Sequence, residues 1–512
     1  MFSLAAKQEG VRARNKLLQL SPPVGGLNAA ATLANMPVTD AVILENFVAY
    51  PDRLEMRYGC ANHLTGLANG AQSLHVWTGG TTSSLWVTTN AGVFNASAAG
   101  AAGAAVIALT NGMTQGGLLS TGGTYYLTLV NGTDSAVQYN GTTWSSIAAF
   151  AGVNTNVLIG VEVYRQRYYF IEEGSLNLHY LAVNAASGAS TSYPLGAIFR
   201  RGGALVGIAT WTIDAGNGPD DHLVIATSEG EIAVFAGTDP ASPSAWTLRG
   251  VYYVGVPLGL KSMVKYGGDV VLLSETGIYP LSRALLTASI DRTRSLSEKI
   301  RQSFNTLVSQ YKGNAGWEVI SHPDAPFLLV NIPDGSLGTQ LVMHSQSGSW
   351  TKFSGWPAKC WARFNEELYY GTDDGRVVKA WTGAADFGAN ITATMLQAFS
   401  TFGLPRQKQA TMARPLFVAT GTFQYTIGLA QDFAPDDPTL NIVQTNTSTA
   451  ALWGTGIWGS SLWTSSDQLT KDWRAITDRP SLYKAFFLQI QSNTARVSLQ
   501  NTDLLFNMQG TF

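Results

Sequence analysis

At 512 residues, with aromatic residues at 11% and charged residues at only 13%, about half the usual share of charge, the chain is too long for one ordinary core and predicts two or more packed units. A net charge of −2 excludes the global basic field of a protein that grips nucleic acid. The slightly positive mean hydropathy fits either a Thr/Ser/Gly/Asn-rich all-β protein or a chain whose surface is largely covered by other subunits.

In chain order, the first ten residues lack a basic start and an apolar core, so no secretory signal is read there. Gly25-Gly-Leu-Asn28 marks a turn. Thr39-Asp40 offers N-cap oxygens to Ala41-Val-Ile-Leu-Glu-Asn-Phe47, which predicts a short helix. Leu54 to Tyr58 alternates before Gly59 and predicts a strand. Residues 1–70 are thus an N-terminal segment with a short helix and a strand, suited to docking or ring contacts.

From residue 71 a phrase recurs: an apolar strand, a tight turn with Gly, a second strand. It reads Leu85 to Phe94, Leu223 to Ile232, Val271 to Ile278 and Leu368 to Val377. Looser copies run Tyr125 to Tyr139, Tyr168 to Tyr180 and Phe327 to Met343. Hairpins repeated at intervals of tens of residues are the mark of a radial β architecture. Residues 71–283 hold about five such units and 314–383 the rest, so six or seven propeller blades are expected. Thr142-Thr-Trp144 and Gly348-Ser-Trp350 resemble aromatic strand ends of blades. The segments 214–221 and 239–243 read as surface loops. Residues 98–109 are Ala/Gly-rich and too short to span a bilayer.

Residues 284–313 break the pattern. Apolar residues at three- and four-residue steps, as in Phe304 to Val308, predict a helical insert on the rim of the β body or in a subunit contact. In 384–512, strands are expected over 392–399, 415–420, 423–429, 483–492 and 495–499, giving a C-terminal β-sandwich-like unit. Between them, Trp453, Trp458 and Trp463 fall five apart. They fit a folded-back loop plugged by its own rings, or an interface or sugar-stacking patch.

The residue types that carry chemistry are sparse. Cys60 and Cys360 are too few for a disulfide scaffold and predict free buried thiols, with one long-range bridge as the alternative. His63, His75, His179, His222, His322 and His344 are isolated, with no HExxH, CxxC or paired spacing. His222 beside Asp220-Asp221 reads as a solvated turn rather than a ligand set. There is no GxSxG elbow or phosphate-cradling loop, and Asn111 to Gly117, lacking the lysine of such a cradle, reads as a flexible loop. The pairs Glu172-Glu173, Asp373-Asp374 and Asp436-Asp437 read as turns facing water, since a glycosidase needs carboxyls opposed across a cleft. Asp334-Gly335 and Asp373-Asp374-Gly375 lack the spaced oxygens of a calcium loop. Arg165, Arg167, Arg200 and Arg201, with Tyr164, Tyr168 and Tyr169, could stack on a single strand, as could Arg292, Arg294, Lys299 and Arg301 of the insert. Cross-strand packing and helix-face solvation explain them more simply.

The two ends carry a resemblance. Pro22-Pro-Val-Gly-Gly-Leu-Asn28, Met36 to Phe47 and Arg53-Leu-Glu-Met-Arg-Tyr-Gly59 resemble the opening of the tail nozzle proteins of short-tailed bacteriophages, also called tail tubular or packaged-DNA stabilisation proteins. At the far end, Thr401-Phe-Gly-Leu-Pro-Arg-Gln-Lys408, Arg414-Pro-Leu-Phe417 and the Trp453/Trp458/Trp463 segment are similar as well. The resemblance covers roughly the first 60 and the last 120 residues by motif, and the middle by architecture. It implies a non-enzymatic virion component: a homohexameric ring in the tail, beneath an adaptor ring and near tail fibre, tailspike or needle proteins. Its channel retains packaged double-stranded DNA and conducts it during ejection without sequence-specific binding. A near-neutral chain suits a duplex that must slide. Assembly in the host cytoplasm and no stable membrane insertion are expected, with no catalytic, cofactor-binding or metal-binding residues. The alternatives are a carbohydrate-binding or adhesive β-propeller and, further off, a glycan hydrolase; both are compatible with the scaffold.

Overall fold

The computed structural model describes residues 15–214, 219–284, 292–322, 325–419, 421–436, 438–440, 444–446 and 468–508. The chain divides into two compact units, one of residues 59–348 and 353–383, the other of 1–58, 349–352 and 384–512.

The first unit is a seven-bladed β-propeller. Blade 1 is an antiparallel meander of Ser73–Gly79, Thr82–Thr89 and Gly92–Asn95. Blade 2 has four strands, Gln115–Thr121, Thr124–Val130, Ala136–Tyr139 and Trp144–Ile147. Blade 3 follows with Leu158–Tyr164, Arg167–Glu172, Asn177–Tyr180 and Thr191–Pro194. Blade 4 uses Leu205–Asp214, Pro219–Thr227, Glu231–Gly237 and Trp246–Tyr253. Blade 5 has Met263–Tyr266, Asp269–Ser274 and Gly277–Pro280. Blade 6 has Glu318–Ser321, Phe327–Asn331 and Gln340–His344. Blade 7 is Cys360–Phe364, Glu367–Gly371 and Arg376–Ala380, completed by Cys60–Thr65 from the front of the unit.

All seven copies of the sequence phrase fall on the second and third strands of a blade. Those strands are apolar because both their faces are covered by neighbouring blades. Tyr168, Tyr169 and Phe170 in blade 3 are fully buried, as are Val271, Leu272 and Leu273 in blade 5. The outer strands of blades 2 and 3 are largely exposed. Trp144 and Trp246 open the fourth strands of blades 2 and 4, and Trp246 stacks on Tyr169 and Phe235.

In the helical region, an α-helix spans Arg301–Tyr311 with Phe304 and Val308 buried one turn apart. Residues 295–297 stand where blade 5 would carry its fourth strand: Leu296 N donates to Ile278 O, and Ser295 and Ser297 cluster on Ile278 N. Both cysteines are free and buried, as the count of two implied, and both lie in blade 7.

The second unit is two stacked sheets, sandwich-like as expected, but it is not built from residues 384–512 alone: strands between residues 15 and 56, expected in a separate docking segment, pair into it, and Cys60–Thr65 goes to the propeller. One sheet orders Phe47–Ala49, Leu54–Met56, Val497–Met508, Lys408–Ala419 and Gln468–Thr470, with Asn15–Leu20 on the Val497–Met508 strand. The other carries Gly26–Leu27, Asp40–Glu45, Ala389–Gln397, Lys484–Ser492 and Phe423–Gln431. Phe417 of the first sheet meets Phe423 and Tyr425 of the second, ring centroids 5.2 and 5.1 Å apart.

Three local expectations are corrected. The helix over Ala41–Phe47 is a strand, Asp40–Glu45, because β-branched Val42 and Ile43 fit a pleated surface and Asp40 accepts a side-chain bond instead of capping a helix. Gln115–Gly117 is not a flexible loop but the start of blade 2. The surface loop 214–221 narrows: strands run to Asp214 and resume at Pro219, placing His222 mid-strand against Trp211 rather than in a solvated turn.

Candidate functional site

Two places concentrate polar chemistry. The first is the set of end-segment motifs in the sandwich unit. Asn28 Nδ2 donates to Asp40 Oδ2 at 2.7 Å while its Oδ1 accepts the backbone N–H groups of Ala30 and Ala31. Gly26 has a φ of +82°, and a Cβ there would lie 2.7–2.8 Å from the Trp350 backbone, so only glycine fits. Asn46, also at positive φ, accepts from Arg57 Nε at 2.8 Å. Arg57, fully buried, grips Asp386 with Nη1 at 2.9 Å and Nη2 at 2.6 Å.

At the far end, Lys408 Nζ donates to the carbonyls of Leu404 and Leu482 at 3.2 and 2.6 Å, which staples the Thr401–Lys408 motif onto itself. Burial, and then Lys484 nearby, push the Lys408 ammonium down to about 8. Lys484, its own affinity lowered mainly by burial, pairs with Asp478 at 2.7 Å, both side chains fully buried. Asp478 also accepts from Ala410 N and Gln431 Nε2. Arg414 grips Asp503 Oδ2 through Nε and Nη2 at 2.9 and 2.5 Å. The motif residues Asn28, Asp40, Asn46, Arg57, Lys408 and Arg414 are therefore internal ties, each satisfied where an unpaired polar group would cost most. Trp453, Trp458 and Trp463 lie outside the described residues.

The second place is the propeller axis. The first strand of every blade lines one cavity of about 430 Å³. Its charged lining is Glu162 from blade 3, Lys261 before blade 5, Glu318 from blade 6 and Arg363 from blade 7, with His75 from blade 1. Lys261 Nζ stands 3.6 Å from Glu318 Oε1, and Glu318 Oε2 accepts Trp361 N at 3.0 Å. Glu162 Oε1 accepts the Thr210 hydroxyl at 3.0 Å. Burial raises the proton affinity of both acids, Lys265 partly offsetting it for Glu162 and Lys261 for Glu318. His75 Nε2 lies 2.6 Å from Thr114 Oγ1, and burial, assisted by Lys261, lowers the imidazole to about 3, so it is neutral at pH 7. A Cβ on Gly116 would come within 2.7 Å of His75 Nδ1, so the glycine that read as loop is a packing requirement.

The other sequence candidates separate. Asp373 pairs with Lys359 at 2.6 Å, and Asp374 takes a two-pronged Arg376 at 3.0 and 2.5 Å, both acids being largely exposed on the hairpin turn of blade 7. Glu172 is bonded by Asn177 at 2.9 Å and faces His179 at 3.5 Å. Of the third pair, Asp437 lies outside the described residues. Tyr168 and Tyr169 are fully buried and Arg167 packs over Tyr180 with Asp239 at 3.4 Å, which is packing and not a stacking strip. Arg201 covers Tyr253 at 3.8 Å. Among the described residues no group of three or more His, Cys, Asp or Glu is placed to hold a metal, and no helix is long and apolar enough to cross a membrane. Sequence reasoning missed Glu162, Lys261 and Glu318, whose partners come from different blades.

No family model and no curated protein matches the chain. Among solved structures it is similar to BBS1N in complex with ARL6DN, at 10% identity over 65% of this chain and 100% of that one, with a TM-score of 0.40. It is also similar to YCF48 bound to D1 peptide, at 11% identity over 68% of this chain and 99% of that one, with a TM-score of 0.41. Likeness of this degree says nothing of what this chain binds.

Proposed function

We propose that the protein is a structural component of a phage tail, a nozzle subunit that assembles as a ring around the path of DNA. The observation that carries this reading is the joining of the two resembling ends, residues 15–58 and 384–508, into one folded unit. Its buried ties are the motif residues themselves, with Arg57 holding Asp386. Motifs so far apart in sequence have a common physical purpose there, as expected of a shared scaffold. The propeller axis offers the volume of one small-molecule site, so a duplex would run between subunits and not through a blade ring. Low charge overall suits wide subunit contacts.

The test is the mass and shape of the purified full-length chain, by light scattering and negative-stain imaging, alone and with a head-to-tail connector. Rings with a central hole, or recruitment to the connector, are expected. A monomer that ignores connectors would overturn the reading. A ligand-binding propeller, the sugar binder among its forms, is favoured by one observation, the axial cavity with its convergent charged groups; a glycan-binding screen addresses it.

A further inference from the structure

We propose that the axial cavity of the propeller is a binding site for a small linear molecule carrying a primary ammonium group, with Glu162 as its counter-ion. The inference does not depend on ring assembly. Glu162 projects from the first strand of blade 3 into a cavity of about 430 Å³, within the range of small-ligand pockets. Thr210 of blade 4 donates its hydroxyl to Oε1, and its backbone also favours the charged form. Among the described residues no cation comes within 4.0 Å of the carboxylate. A part-buried carboxylate that lines a cavity with no cation beside it is costly, and a cation delivered by a ligand removes that cost.

The rest of the lining sets the ligand's form. Apolar Val161, Ile208, Met263 and Ile320 contribute walls that suit a methylene chain. Blades 3 and 6 are three steps apart, the largest separation in a ring of seven, so Glu318 stands on the blade opposite Glu162, and Lys261, just before blade 5, lies beside Glu318. A linear molecule with its ammonium on Glu162 therefore meets an acid–base pair at its other end. A second ammonium there would compete with Lys261 for Glu318, whereas a carboxylate would pair with Lys261. The remaining charged groups around the cavity are Arg363 of blade 7 and Lys265 of blade 5, and His75 of blade 1 is neutral at pH 7. Lys265 is exposed and acts on Glu162 at a distance, so it opposes a cationic ligand.

Calorimetry on the full-length chain at constant ionic strength, with 1,4-diaminobutane, 4-aminobutanoate and pentanedioate, tests the proposal. Saturable one-to-one binding of at least one amine is expected, and none of the dicarboxylate. Glu162→Gln keeps the Thr210 bond through its amide oxygen and should weaken the amine by about tenfold or more. Lys265→Met, a surface change, should tighten it. Affinity should fall as pH is lowered and Glu162 takes up its proton. The diamine and the amino acid arms identify which second end the Lys261–Glu318 pair accepts, and binding of either supports the site. The proposal is overturned if neither amine binds at up to ~10 mM, if Glu162→Gln binds as the parent does, or if pentanedioate binds more tightly than both.

Discussion

Arg57 and Asp386, 329 residues apart in sequence, form a two-pronged ion pair in which the guanidinium is entirely buried. Replacing Arg57 with Met takes the guanidinium away from the Asp386 carboxylate and from Asn46 Oδ1. Loss of one partner of a buried pair costs about 3–5 kcal/mol. Urea unfolding of Arg57→Met should show that loss. An unchanged midpoint would mean the pair contributes little to the sandwich unit.

Asp478 offers a second test in the same unit. Its carboxylate neutralises fully buried Lys484 and caps Ala410 N. Asp478→Asn leaves an ammonium in the interior and should destabilise the protein by about 3–5 kcal/mol. The same change at Asp374, on an exposed turn, should cost under ~1 kcal/mol. Comparable losses at both positions would contradict this account of burial.

Glu162 should behave as a functional acid held at the expense of stability. Its proton affinity is raised in the folded state, so the folded protein holds that proton to higher pH than the unfolded chain. Its contribution is fully favourable below the ordinary carboxylate range and is lost as pH rises through the folded value. Glu162→Gln should therefore raise the melting temperature at pH 7–8 and change it little near pH 4. A lower melting temperature at neutral pH would show that the carboxylate is structural.

His75 titrates in the opposite sense. Its folded value is about 3 against an ordinary 6.5, so the unfolded chain binds the proton first. Stability contributed by the neutral ring is complete above pH 6.5 and drains away as pH falls toward 3. His75→Gln should flatten the pH dependence of unfolding across that window. An unaltered profile would place the acid sensitivity elsewhere.

Much of the propeller was legible because the middle strands of each blade are covered on both faces. Continuous apolar runs such as Val270 to Leu273, followed by a Gly turn, repeat seven times. The fourth strands were not legible: Thr191–Pro194 is mostly exposed and carries no alternation to read. The strand at Asp40–Glu45 was misread because a short apolar run after an acid looks the same at the start of a helix. What distinguishes it is that Asp40 bonds Asn28, a partner that spacing alone does not reveal. The axial cluster was invisible for a topological reason. Glu162, Lys261 and Glu318 are each lone charges in unremarkable strands, brought together only when the ring closes.

That closure depends on Cys60–Thr65, an early segment, zipping onto Arg376–Ala380, a late one. Asn15–Leu20, Asp40–Glu45 and Leu54–Met56 likewise await partners beyond residue 389. On the ribosome, the propeller cannot close until residue 380 has emerged, and the second unit waits for residues 497–508. Such distant pairing makes folding slow. A chain cut before residue 376 therefore completes neither unit, and its unpaired strand edges stay open to other chains.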